Sequence, residues 1–189
     1  MDSPRRFVIG LAAVSLCVCG GLSLILLVFG DAEGALWQVL TSAVLVGLFS
    51  LLAYSGAMLL DQGRGSILAW SAVLLSALGL LWAFRTVWGD FQGDDGSWRL
   101  LVTLTACATA ASQVCATTAR RHETDPNPVD RLYGLSTVLV YALAGMLTLA
   151  AWDVLDAGPL FWQLLGVVAL LDLVAVVLQP VLRQRARIA

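Results

Sequence analysis

The chain is short of charge. Of its 189 residues only 13% are charged, about half the share of a typical soluble domain. That excludes an ordinary water-soluble globule. The 59% hydrophobic content excludes disorder as well. There is no lysine, so all eleven basic residues are arginine. The one histidine, His122, falls in a charged connector and not in an apolar run. A haem or transition-metal centre inside a membrane draws on imidazole ligands. Neither a metal nor any other cofactor is therefore expected. The four cysteines, Cys17, Cys19, Cys107 and Cys115, all lie in apolar segments. Cys17 and Cys19 point to different sides of a helix. Cys107 and Cys115 are two turns, about 12 Å, apart, too far for a disulfide.

Catalytic motifs are missing too. The sequence has no Walker-type glycine loop and no Gly-x-Ser-x-Gly elbow. It has no paired carboxylates at one depth and no basic patch organised for nucleic acid. The chain is expected to be neither an enzyme nor a nucleic-acid-binding protein. The acidic turn Gly89–Gly96 lacks the spacing and the distal glutamate of an EF-hand loop.

What is present is apolar length. Mean hydropathy is +0.86. A membrane-spanning helix needs about 20 mainly apolar residues. Six segments qualify: Phe7–Phe29, Leu36–Leu60, Ile67–Trp88, Trp98–Ala119, Leu132–Trp152 and Pro159–Leu182. The expected fold is all-α, a bundle of six transmembrane helices forming one domain over residues 1–189. The first segment is too long for the apolar core of a signal peptide and lacks a clear cleavage site. It is expected to be a retained anchor.

The charges are sorted by position. One set of segment ends collects Arg5, Arg6, Arg64, Arg120, Arg121 and Arg131, then Arg183, Arg185 and Arg187. The other collects Asp31, Glu33, Asp90, Asp94, Asp95, Asp153 and Asp156, with Arg99 as its firm cation. Arginine-rich ends face the cytoplasm. Both termini are therefore expected inside, in a bacterial-type plasma membrane. Trp37, Trp88, Trp98, Trp152 and Trp162 cluster at the acidic ends, as an interfacial aromatic belt would.

Three turns at the acidic ends share one pattern. They read Val28-Phe29-Gly30-Asp31 then Trp37-Gln38, Val87-Trp88-Gly89-Asp90 then Trp98-Arg99, and Ala151-Trp152-Asp153 then Trp162-Gln163. Each has an aromatic residue, an aspartate, a short polar stretch and an anchoring tryptophan. The anchoring tryptophans recur at about 61 and 64 residues, a period to be tested as three repeated helical hairpins. The alternative is that each hairpin solves the same interface problem separately.

Ionisable residues inside a membrane are costly and mark candidate sites. Asp172 lies ten residues past Trp162, about 15 Å below the interface. Arg85 is shallower and can reach the interface, with Trp82 and Trp88 on its face. The fourth segment carries two ladders. Cys107, Ala111, Cys115 and Ala119 form a small-residue packing face. Thr105, Thr109, Gln113 and Thr117 form a polar one. Such a helix is expected at the centre of the bundle or at a subunit interface. By depth, Thr109 is the expected hydrogen-bond partner of Asp172, and a transport site would use Asp172 with Thr109, Gln113 and Arg85 in support.

The functional reading is a membrane accessory, assembly or self-associating subunit. Its partners would be the lipid bilayer and a protein or second copy bound through the fourth segment. The alternative is a small-solute or ion transporter that uses Asp172.

Overall fold

A computed structural model describes residues 34–89, 95–121, 127–154 and 158–188. Those residues form five helices and no strand: α1 (Gly34–Asp61), α2 (Ser66–Trp88), α3 (Asp95–Arg120), α4 (Asn127–Ala151) and α5 (Pro159–Ile188). All five are long and apolar enough to cross a membrane. The chain is thus an all-helical protein of membrane-spanning type. α1 to α5 answer to the second to sixth expected segments. The first, Phe7–Phe29, lies outside the described residues, as do Cys17, Cys19, His122 and most of the three acidic turns.

Two boundaries differ from the sequence reading. α4 starts five residues early because Pro128 sits in its first turn, where the missing N–H has no intrahelical acceptor to lose. α5 continues past Pro180 into the arginine-rich tail, ending at Ile188. A proline inside a helix removes one bond and leaves the rest of the ladder available.

The turns are set by left-handed residues. After α1, Gly63 (φ 67°) lets its own N–H reach Leu60 and the Arg64 N–H reach Leu59. This paired closure is the Schellman motif. After α4 the same two bonds form around Asp153 (φ 52°), from Asp153 to Ala150 and from Val154 to Leu149. Aspartate tolerates this region, and its carboxylate is held 2.5 Å from the Arg99 guanidinium of α3.

Small residues decide the packing. Helices in an apolar medium associate through close contact and not through hiding leucine. α2 buries Ala69, Ala72, Ser76, Gly79 and Ala83 in one stripe. Gly56 of α1 lies against it so closely that an added Cβ would stand 2.8 Å from the Ala69 carbonyl oxygen. The fully buried ring of Phe49 covers Gly79 in the same way. α3 closes this pair: Ala111 and Cys115 pack with Leu59, Ala69 and Ala72, and Ala108 packs with Phe49 and Ala83. On another face, Ala106, Ala110 and Val114 meet Val140 and Ala144 of α4. α3 therefore touches α1, α2 and α4, while α5 packs against α4 alone among the described helices.

Two helix pairs share one contact, a tryptophan indole on a hydroxyl, and each adds a second beside it. In α1·α2, the Trp88 indole N–H donates to Ser42 Oγ (2.9 Å), and the Gln38 amide donates to the Val87 carbonyl (3.3 Å). In α3·α4, the Trp152 indole donates to Thr103 Oγ1 (3.0 Å), and Arg99 reaches Asp153. Ser42 is five residues past Trp37, and Thr103 is five past Trp98. In both pairs the residue after the anchoring tryptophan reaches the end of the partner helix.

The close approach at Gly56 can be checked directly. Gly56→Ala is expected to cost about 1–3 kcal/mol, because the clash is with backbone that cannot turn aside. Gly134→Ala, which meets nothing within 4 Å, should be neutral or stabilising by up to about 1 kcal/mol. Thermal unfolding in detergent compares the two.

Candidate functional site

The buried face of α5 carries Asp172, Ala175 and Gln179. It packs against α4, where Ser136 is buried opposite Asp172. Asp172 is 7% exposed. Ser136 Oγ donates to its Oδ1 (2.7 Å), and Gln113 Nε2 donates to its Oδ2 (2.5 Å). The Gln113 amide also lies 3.4 Å from Ser136 Oγ. One carboxyl group thus gathers a side chain from each of α3, α4 and α5. Because the backbones of α3 and α5 do not pack together, Gln113 and Asp172 form the bridge between them.

Thr109 is not the partner of Asp172. Its hydroxyl donates to the Thr105 carbonyl of its own helix (2.8 Å). The expectation assumed that Trp98 and Trp162 stand at one level. Counted from its own tryptophan, Gln113 is about 22 Å down its helix, Ser136 about 24 Å and Asp172 about 15 Å. The three meet, so α5 is set deeper than level tryptophans imply, and the long glutamine side chain makes up part of the difference. Ser136 went unnoticed in the sequence. The available signal was a single serine on the i, i+3, i+4 stripe that also holds Val129, Tyr133 and Val140.

Arg85 is not part of this group. It sits in the last turn of α2 with its guanidinium 4.7 Å from the centre of the Trp82 ring. The Trp82 indole in turn donates to the Ser97 carbonyl (3.0 Å). α2 does not contact α5. Arg85 is exposed and close to the tryptophan end, where a long side chain can reach the interface.

The small-residue ladder of α3 is spent inside the chain. Ala111 and Cys115 are buried, Ala119 packs on the same cluster, and Cys107 is half-buried. Cys115 Sγ also approaches the Leu68 carbonyl (3.5 Å). Of the two expected places for this helix, the described residues put the ladder at the centre of the bundle, against α1 and α2.

The polar ladder faces elsewhere. Thr105, Thr109 and Gln113 line a half-open cavity of about 600 Å³ that α1, α3, α4 and α5 surround. Leu48, Leu101, Leu143 and Leu165 make up much of its wall. The two threonine hydroxyls donate to carbonyls of their own helix, and the Gln113 amide turns to Asp172 and Ser136. Polar residue types therefore present a largely apolar surface. Asp172 is one side chain away from this space, behind Gln113.

Comparison with family models, with curated proteins and with solved structures found no match for this chain. What the fold and the site define is an all-helical bundle of membrane-spanning type, pinned by an enclosed carboxyl group.

The pinning is measurable. A Gln113→Leu and Asp172→Leu cycle is expected to give a coupling of about 0.6–1.7 kcal/mol, the range of side-chain hydrogen bonds between membrane helices. Thr109→Val should shift stability by less than about 0.5 kcal/mol. Equal effects of Thr109 and Gln113 would contradict the geometry.

Proposed function

We propose that the chain is a non-enzymatic, multi-pass protein of a bacterial-type plasma membrane that serves as an accessory or assembly subunit. In this reading it has six spans, with Phe7–Phe29 as the first, and both termini lie in the cytoplasm. The three hairpins descend from one duplicated unit. The matched contacts of α1·α2 and α3·α4 support that duplication.

One observation carries the functional reading. Asp172 is enclosed, and both of its oxygens are taken by side chains from neighbouring helices. A coupling acid must exchange protons or cations with water. An acid that is enclosed and hydrogen-bonded at both oxygens instead fixes which helices meet and at what register. Gln113, Ser136 and Asp172 are thus spent on joining three helices. The small-residue ladder of α3 is already covered, so a protein partner or second copy would bind the lipid-facing sides of α2, α4 or α5.

A second reading keeps transport of a small solute or ion. It is favoured by Gln113, which lines the cavity and touches Asp172 at once. Rotation of that one side chain would join the two.

Native mass spectrometry on protein extracted gently from its own membrane separates the readings. A stoichiometric protein partner is expected. A lone chain that carries a small molecule would favour transport. Asp172→Asn should leave the fold intact under both readings, and loss of proton- or cation-coupled flux in that variant would establish the second.

A further inference from the structure

The half-open cavity is long and narrow. Its wall on α3 runs from Trp98 through Leu101, Thr105 and Thr109 to Gln113. At 1.5 Å per residue that is about 22 Å of helix. A volume of about 600 Å³ over this length leaves a mean width of about 6 Å.

The helices around it leave one gap. α1 packs on α3, α3 on α4 and α4 on α5, whereas α1 and α5 do not meet. Among the described helices the groove therefore opens sideways, between α1 and α5. α3 is otherwise enclosed. Between Leu100 and Ala119 its one exposed residue is Thr109, and Thr109 lines the groove.

The walls select an apolar occupant. The Thr105 and Thr109 hydroxyls are bonded to their own helix, and the Gln113 amide is committed to Asp172 and Ser136. A solute carrying hydroxyls or charge would lose its hydration without finding partners on these walls. Water meets the same difficulty. Left empty, the wall atoms forfeit contacts on one side.

The dimensions narrow the choice further. Non-bonded carbon atoms pack about 4 Å apart, so a groove of this width admits one hydrocarbon chain and not two abreast. With carbon–carbon bonds of about 1.5 Å at tetrahedral angles, an extended chain gains about 1.3 Å per carbon, and about 17 carbons span the groove. The membrane-spanning part of α3 starts at Gly96, two residues before Trp98. One end of the groove thus lies where a lipid headgroup stands, and the other lies deep in the apolar layer.

We infer that this groove seats one acyl chain, about 16–18 carbons long, of a phospholipid from the leaflet on the tryptophan side. The headgroup stays beside Trp98 and the methyl end reaches Gln113. The chain fills the gap between α1 and α5, and it keeps water from Gln113 and so from Asp172 behind it. The inference goes beyond both functional readings above and depends on neither.

The test is photolabelling. The full chain is placed in phosphatidylethanolamine vesicles in which a small fraction of the lipid carries a diazirine halfway along one eighteen-carbon chain. After irradiation, trypsin releases most of α3 as Leu100–Arg120 and most of α2 as Gly65–Arg85. The α2 peptide exposes Trp70, Leu74 and Leu78 and reports ordinary contact with surrounding lipid. Label is expected on the α3 peptide, between Leu101 and Gln113. Moving the diazirine from the headgroup end of the chain to the methyl end should move the label from Leu101 toward Gln113. Thr109→Trp fills the groove from an exposed position and should lower the α3 label several-fold while the α2 label stays. Leu74→Trp should leave the α3 label unchanged. If Thr109→Trp does not fold, Leu48→Trp from the α1 wall takes its place. Label on α2 alone in folded protein overturns the inference and leaves the groove to residues 7–29, a second copy or a solute. An α3 label that survives groove filling, or that does not move with the diazirine, overturns it as well.

Discussion

Backbone proximity among α1, α2 and α3 is the constraint on which the rest of this bundle depends. Leucine gains nothing by leaving lipid for another helix, so association must come from close packing and polar contact. The residues at the centre are accordingly small: Gly56, Ala69, Ala72, Gly79, Ala108, Ala111 and Cys115. Where one large side chain enters, as Phe49 does, a glycine faces it. Leu59 is enclosed with them, and most of the other bulky side chains sit outside. Trp70, Leu74, Leu78 and Leu81 of α2 are all more than half exposed. In water this distribution would be a liability, and in a membrane it is the ordinary solvent-facing surface.

That central trio leaves α4 and α5 with fewer backbone contacts, and polar groups do more of the positioning there. The tryptophan end is tied by the Trp152 indole on Thr103 and by Arg99 on Asp153. The middle is tied by Asp172 through Ser136 and Gln113. The opposite end is tied by Arg121 on Asp130 and by the Tyr133 hydroxyl on the Arg120 carbonyl. Hydrogen bonds are directional, so these ties define register in a way that contact between alanines does not. The same economy shapes the cavity. Its threonines satisfy themselves on their own helix, which lets a wall with polar residue types remain mostly apolar.

The five described helices were readable from the sequence to within a few residues because apolar run length and turn chemistry are local properties. Pro128 and the Schellman closures moved the ends slightly without changing the elements. The candidate site was readable only in part. Asp172 and Gln113 stood out as polar residues in apolar runs, and they do meet. Ser136 resembled any other serine in a helix. Thr109 was placed by a depth argument that holds only when neighbouring helices share one level, and α5 does not share it. Arg85 was named for its charge, but its place in the last turn of α2 keeps it with Trp82.

The sequence by itself determined which stretches are helical, which ends carry arginine or tryptophan, and which side chains are unusual for an apolar medium. It also determined the recurrence of one turn pattern at three places. These follow from composition along a single segment. Only the tertiary structure decided that the cysteine and alanine ladder of α3 is consumed by α1 and α2. It also decided that Gln113 and not Thr109 completes the carboxyl site, and that α5 packs against α4 alone among the described helices. The reason is physical: the relative depth, tilt and rotation of two helices depend on how their surfaces interlock, and one segment carries no record of its partner's surface.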